Sequence, residues 1–221
     1  MRSSIPYSIK EQQLWLSPDR SIFWEDENSL IVSDLHFGKT GHFRKSGIAV
    51  PQSVYKEDLQ RLVTQIQYFQ PKQLIIVGDL FHSLENKECE LFKRWRDNFP
   101  GLGIHLVKGN HDILEDSWYQ QADVTVSKEK MVTGVFHFIH DITQLDQHIP
   151  DSSPYFFSGH IHPGLRINGN GKQSLCFPCF YFDKHYAVLP AFSRFTGLAM
   201  IKPKSDGKVF AIVENKIIQI Q

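Results

Sequence analysis

The sequence predicts an α/β protein: a mixed sheet or a two-sheet sandwich with helices outside. Three observations carry this. The first half alternates short apolar runs with stretches whose apolar residues recur at a helical period, the rhythm of parallel strands covered by helices. The second half is a succession of strand-like segments punctuated by turn residues. At 221 residues, 41% of them hydrophobic, the chain suits one sizeable domain, residues 1–221, better than two small ones.

In chain order, "LWLSP" and "SIFWED" form a hairpin around Pro18 and Asp19. "SLIVSD" follows, a buried strand by its apolar run, with Asp34 at its carboxyl end. Between Val54 and Phe69, Leu59, Leu62, Val63, Ile66 and Phe69 recur with a period of about 3.6 and define an amphipathic helix stopped before Pro71. "QLIIVGD" is the next buried strand. Lys87 to roughly Asn98 is a second helix with Leu91, Phe92 and Trp95 on one face, ended by Phe99, Pro100 and Gly101. "GIHLVKGNHD" is a third strand running into a polar turn. The strand-rich half reads "MVTGVFHFIHD", "YFFSGHIH", "GLRINGNGKQSLCFPCFYF", "HYAVLP", "TGLAMIKP", "KVFAIVEN" and "KIIQI", with Asn168, Gly169, Asn170 and Gly171 supplying a hairpin turn. No repeat, low-complexity tract or linker marks a domain boundary.

The 24 basic and 24 acidic residues cancel, so no overall field draws the chain to nucleic acid or an anionic membrane, and any polyanion must be held locally. No apolar run reaches the ~18 residues of a membrane span, and "MRSSIPYSIKEQQLW" lacks the apolar core of a signal peptide. A soluble, cytoplasmic protein without a membrane partner is expected. Cys89, Cys176 and Cys179 are an odd number in a chain too long to need disulfide staples, which points to a reducing compartment. Cys176 and Cys179 have the Cys-x-x-Cys spacing of redox and zinc motifs. With no second pair and alternating apolar neighbours, packing on a strand is the better reading. Histidine stands out: eleven in all, several beside Asp, Asn or Gly.

Five elements end in oxygen or imidazole donors: Asp34 with His36, Asp79 with His82, Asn110 with His111 and Asp112, His140 with Asp141, and His160 with His162. One such group would be a cap or turn, the common use of a lone Asp or His after a strand. In open α/β sheets, however, functional groups gather beyond the carboxyl ends of strands, and here five do so together. Asp, Asn and His without cysteine are donors for Mn²⁺, Fe²⁺ or Zn²⁺ at a hydrolytic centre. Two cations about 3.5–4 Å apart need a bridging carboxylate and enough neutral ligands to leave net positive charge, which attracts a phosphate ester.

In that order, "DLH", "GDLFH", "GNHD", a later strand-end His and "GHIH" resemble the signature of the calcineurin-like metallophosphoesterases, which implies their four-layer fold. The resemblance implies one divalent cation on Asp34, His36, Asp79 and His162 and a second on Asp79, Asn110, His140 and His160, with Asp79 bridging and Mn²⁺ the first candidate. It further implies in-line attack on phosphorus by a bridging water or hydroxide. His111 would meet the phosphate or protonate the leaving oxygen, with Asp112 placed to orient it. The family often has Gly or Pro after the fourth histidine, where this chain has Asp141, and His137 competes for the role. Residues three apart on a strand face opposite sides and His140 lies nearer the strand end, so His140 is expected in the site.

"SDLHFGKTGHFRKSGIAVP", "VGDLFHS", "FSGHIHPGLRI" and "CFPCFYFDKHYAVLPAFSRFTG" extend the match well past these motifs and resemble the ligase-associated DNA damage response endonucleases. That branch implies a DNA substrate, a role for His82 in positioning the scissile phosphate, and association with a DNA ligase, a helicase and a second nuclease. Lys39, His42, Arg44 and Lys45 place positive charge after the first ligands, either as phosphate contacts or as a solvated loop. Phe192, Arg194 and Phe195 could stack bases, although core packing with an exposed Arg is the commoner fate of such a segment. Two rival readings are a phosphodiesterase or phosphatase for a nucleotide or other small ester, which neutral net charge favours, and a scaffold whose site has decayed, which should lack several ligands.

Overall fold

The computed structural model describes residues 3–39, 53–82, 87–145, 149–169 and 173–221. Two sheets face one another. The first runs β1 (Ile5–Ile9), β2 (Gln12–Ser17), β3 (Ser21–Trp24), β4 (Ser29–Val32), β5 (Gln73–Val77), β6 (Gly103–Val107), β7 (Thr125–Ser127) in spatial as in chain order. Its first four strands are an antiparallel meander; from β4 to β7 it is parallel. The parallel crossovers carry α1 (Ser53–Phe69), α2 (Lys87–Arg96) and α3 (Asp116–Gln121). The second sheet is mixed and contains β8 (Lys130–Thr133), β9 (Phe136–Ile139), β10 (Tyr155–Ser158), β11 (Pro163–Asn168), β12 (Ser174–Phe182), β13 (Tyr186–Val188), β14 (Ala199–Met200), β15 (Lys208–Val213) and β16 (Lys216–Gln219). Its order is β14-β11-β12-β13-β10-β9-β8, with β15 on β12 and β16 on β15; β9, β10 and β13 are mutually parallel.

Alternation of side chains along strands decides the layers. Ile31, Ile75, Val77 and Val107 point inward from the first sheet to meet Phe136, Phe138, Tyr155, Phe157, Phe180, Phe182 and Phe210 of the second. Leu30, Val32, Leu74, Ile76, Ile104 and Leu106 point outward onto Leu62 and Ile66 of α1, Phe92 and Trp95 of α2, and Trp118 and Tyr119 of α3. The predicted mixed sandwich with outer helices is therefore the observed fold. Among the described residues its outer cover on the second sheet is a small cluster, Cys179, Tyr181, Val188 and Val209 with Ile142, Ile161 and Leu165, in place of an α-helix.

Several details differ from the sequence reading. "MVTGVFHFIHD" is a hairpin, β8 and β9, because Gly134 turns the chain at φ +53. β1, which alternates Ile5, Tyr7 and Ile9 toward the core, went unread, and the short α3 carries little periodicity of its own. On α2, Leu91 is 41% exposed, and Cys89, one position off the expected stripe, packs inward with Phe92 and Trp95. Cys179 packs in the core, where burial pushes its thiol up to about 12, whereas Cys176, three residues away on β12 and so on the other face, is exposed. Packing accounts for Cys179 alone. Asn168 closes β11 as expected, while Asn170 and Gly171 of the hairpin turn lie outside the described residues. No described helix is long and apolar enough to cross a membrane.

Candidate metal centre

The carboxyl ends of parallel strands from both sheets meet at one edge of the sandwich. β4 delivers Asp34 and His36, β5 Asp79, β6 Asn110, β9 His140 and β10 His160, with His162 before β11. The turns after β4 and β5 are zipped together: His36 N–H donates to Asp79 O at 2.8 Å, Phe37 N–H to Leu80 O at 2.9 Å, and His82 N–H to Phe37 O at 2.8 Å. Asp34, His36, Asp79, His160 and His162 all have φ between +50° and +64°, five of the twelve non-glycine residues in that region among those described. For L-residues this conformation costs roughly 1–2 kcal/mol each, so it persists only where the surroundings fix it.

The glycine before three of the donors explains how the turns close. A Cβ on Gly78 would lie 1.7 Å from His140 Nδ1, one on Gly109 would lie 2.1 Å from Asp79 Oδ1, and one on Gly159 would lie 2.6 Å from Asp34 Oδ2. Each motif thus presses its bare backbone against a donor of another, and only glycine permits that approach.

The donors form two groups. Asp34, His36 and His162 are one: His36 Nε2 lies 3.2 Å from His162 Nε2, and His162 Nε2 lies 3.4 Å from Asp34 Oδ1. Asp79, His140 and His160 are the other: His140 Nε2 lies 3.1 Å from His160 Nδ1 and 3.6 Å from Asp79 Oδ1. Asn110 Oδ1 joins it, 3.1 Å from His140 Nε2. Asp79 stands between them, its other oxygen 3.9 Å from His36 Nε2. Donors at about 2.0–2.2 Å from one cation sit roughly 3.0–3.5 Å from one another, so these spacings, with imidazole, carboxylate and carboxamide donors, fit a divalent ion in each group.

Electrostatics agree. Burial drives His36 down to about 2, helped by Lys39 and by His162, His82 and His111, so its imidazole is neutral and its lone pair available. Burial raises the Asp79 carboxyl, opposed by His140 and by the His111 amide, which donates to Asp79 Oδ1 at 3.0 Å. Burial likewise lowers Lys39, against the pull of Asp79 and Asp34.

Each expected residue can now be placed. All seven expected ligands fall in the two groups or within reach of them, and His137 points away, its ring against Phe156. His82 and His111 stack at 4.2 Å beside His36. Asp112 is buried and its hydrogen bonds run to the amides of Phe81, at 3.0 Å, and Gly109, at 2.9 Å, so it fixes the turn that carries Asn110 and His111 and does not touch the His111 ring. Phe192 is core, beneath Arg61, and Arg194 is exposed. His42, Arg44 and Lys45 lie outside the described residues. Sequence reading missed Glu88, whose carboxylate holds the Gly38 amide at 2.5 Å, and gave no role to Asp141, whose Oδ2 lies 3.9 Å from His160 Nε2. It also missed a groove of about 590 Å³ beside Asn110, His140 and His160, flanked by Lys108 and Lys128. A larger cavity of about 720 Å³, between α1 and the β2–β3 turn, holds none of the donors.

The crystal structure of the nuclease MPE of Pseudomonas putida is similar over its whole length, with a TM-score of 0.82 and 27% identity, covering 99% of this chain and 100% of that one. A phosphoesterase of E. coli, Yfce, matches with a TM-score of 0.44 and 14% identity over 87% of this chain and 97% of its own. No curated protein matches. The first likeness is consistent with the endonuclease branch that the motifs resemble. The family model for calcineurin-like phosphoesterases matches residues 28–166, a span that carries every donor of both groups, and the chain belongs to that family.

Proposed function

We propose that this phosphoesterase is a dinuclear metal-dependent phosphodiesterase, a single domain acting as a DNA nuclease in repair in the cytoplasm. The observation that carries the reading is Asp79, whose two carboxylate oxygens face one donor group each, at 3.9 and 3.6 Å from His36 and His140. The likeness to a nuclease over the full chain supports DNA as substrate. Asp34, His36, Asp79 and His162 hold one cation, and Asp79, Asn110, His140 and His160 the other; Mn²⁺ is the first assignment, and Fe²⁺ and Zn²⁺ suit the same donors. Bound cations supply an acidified water and neutralise phosphate charge.

The chain's own residues orient the ester. His111, tied through its amide to Asp79, meets the phosphate or gives a proton to the leaving oxygen, and His82, stacked on it, positions the scissile group. Lys39 adds a cation on the side of the first group, and His42 and Arg44, which follow it in the sequence, are further proposed phosphate contacts. A DNA ligase, a helicase and a second nuclease are its proposed functional partners.

The test is Mn²⁺-dependent cleavage of end-labelled single-stranded and duplex DNA, with Asp79→Asn as control. Cleavage that survives the substitution overturns the reading. A second reading, a small phosphodiester as substrate, is favoured by the groove itself, where Asp116, Glu129 and Asp141 offset Lys108 and Lys128. Hydrolysis of bis-p-nitrophenyl phosphate without cleavage of either DNA would establish it.

A further inference from the structure

Asp34 is fully buried at φ +52, so something must hold its backbone. Part of the answer lies far away in sequence. Phe192 N–H donates to Ser33 O at 2.7 Å, Ser193 N–H to Asp34 O at 3.2 Å, and Ser33 Oγ–H to Pro190 O at 3.2 Å, so residues 190–193 run alongside the turn that carries Asp34. Among the described residues this segment belongs to no strand. It is gripped by charge instead. Arg20 Nη1 donates to Ala191 O at 3.1 Å and to Ser193 O at 2.7 Å. Arg61 Nη2 donates to Phe192 O and, at 2.9 Å, to Asp58 Oδ1, while its guanidinium lies 4.3 Å above the Phe192 ring. Asp58 in turn accepts the Arg194 amide at 3.3 Å. Arg61 and Asp58 are 7% and 3% exposed. A buried ion pair contributes little net stability compared with an apolar pair of the same volume, but it fixes geometry through directed hydrogen bonds.

We propose that Arg20, Arg61 and Asp58 are positioning residues for the metal centre: they clamp residues 191–194, whose amides hold the carbonyls of Ser33 and Asp34, and thereby set the Asp34 carboxylate against His162. The proposal rests on the reading of Asp34 as a ligand. The clamp acts directly on the Asp34 group; it reaches the other only through the His160 amide, which donates to Asp34 Oδ2 at 3.1 Å, since the side chains of Asp79, His140 and His160 stand on different strands.

The experiment titrates metal-free protein with Mn²⁺ by calorimetry, for the parent chain, Asp58→Asn, Arg61→Lys and Arg20→Lys, and melts each without metal. The expected result is one Mn²⁺ equivalent weakened about tenfold or more, the usual effect of losing a residue that orients a ligand, with the second equivalent weakened less and hydrolysis restored at saturating Mn²⁺. Arg20→Lys leaves the Arg61–Asp58 pair intact and keeps the test decisive if either of the other variants fails to fold. Folded variants that bind both equivalents as the parent does would overturn the clamp. A parent chain that binds no Mn²⁺ would overturn the metal reading itself, a separate outcome.

Discussion

The two donor groups are made of the same chemistry and sit in different surroundings. Asp34 and His36 are buried, as are Asp79 and His140; the groups differ in their third donor, the His162 side chain being 16% exposed and that of His160 41% exposed and bordering the groove. The first group is enclosed by the zipped turns after β4 and β5 and by the segment following β13. The difference predicts that the enclosed group holds its cation the more tightly of the two.

Asp79 is the link between them, and its loss is the largest effect expected. Asp79→Asn keeps the shape but withdraws the charge shared by both groups. Hydrolysis of bis-p-nitrophenyl phosphate is expected to fall by about 10³-fold, as when a principal stabilising group is removed. Mn²⁺ titration should show both equivalents weakened. If only one changes, Asp79 belongs to one group and the bridge is wrong.

Metal removal tests the asymmetry directly. Limiting chelator should strip one Mn²⁺ equivalent well before the other, and His160→Gln should abolish the early-leaving one while His36→Gln abolishes the late one. Each bound ion stabilises the fold by mass action, about 2.7 kcal/mol at a hundredfold excess over its dissociation constant, so thermal melting should fall in two steps as chelator is added. Loss of both ions together would mean that the groups are energetically one site.

His111 stands outside both groups and offers a sharper division between holding metal and doing chemistry. His111→Ala is expected to lower kcat by about 10²-fold, in the range of a lost proton donor, with both Mn²⁺ equivalents retained. A variant that instead lost metal would place the His111 ring among the structural supports of His36, against which it packs at 5.6 Å between centroids.

The enclosed and open groups were legible in the sequence to about the same degree, because both rest on donors at strand ends in a fixed order. Strand alternation even separated His140 from His137. What stayed hidden was whatever depends on distance along the chain. Arg61 meets Phe192 across 131 positions, and Arg20 meets Ser193 across 173, with no periodic signal to announce either contact. Nor does the sequence reveal that Gly78, Gly109 and Gly159 are each pressed against a donor from another motif; each reads as an ordinary strand-end glycine until the sheets are assembled. Leu91 failed for a related reason: Cys89, three positions before Phe92, shares its face, so the buried stripe centres on Phe92 and turns Leu91 toward solvent.

The smallest effect expected distinguishes the open group by its own outer partner. His160 turns Nδ1 inward, 3.1 Å from His140 Nε2, and Nε2 outward, toward Asp141 Oδ2 at 3.9 Å. A carboxylate there helps to orient the ring, as outer partners of metal-binding histidines do. Because the separation exceeds a hydrogen bond and Asp141 also accepts from the Thr143 amide at 2.9 Å, the contribution is electrostatic and modest. Asp141→Asn is therefore expected to weaken only the open group's Mn²⁺ by less than about tenfold, below the usual range for a directly bonded partner. Titration of that variant reads the two equivalents separately. An unchanged pair would assign Asp141 solely to capping the turn at Ile142–Gln144, while a weakened late-leaving equivalent would show that the two groups share their outer supports and are less independent than their exposure implies.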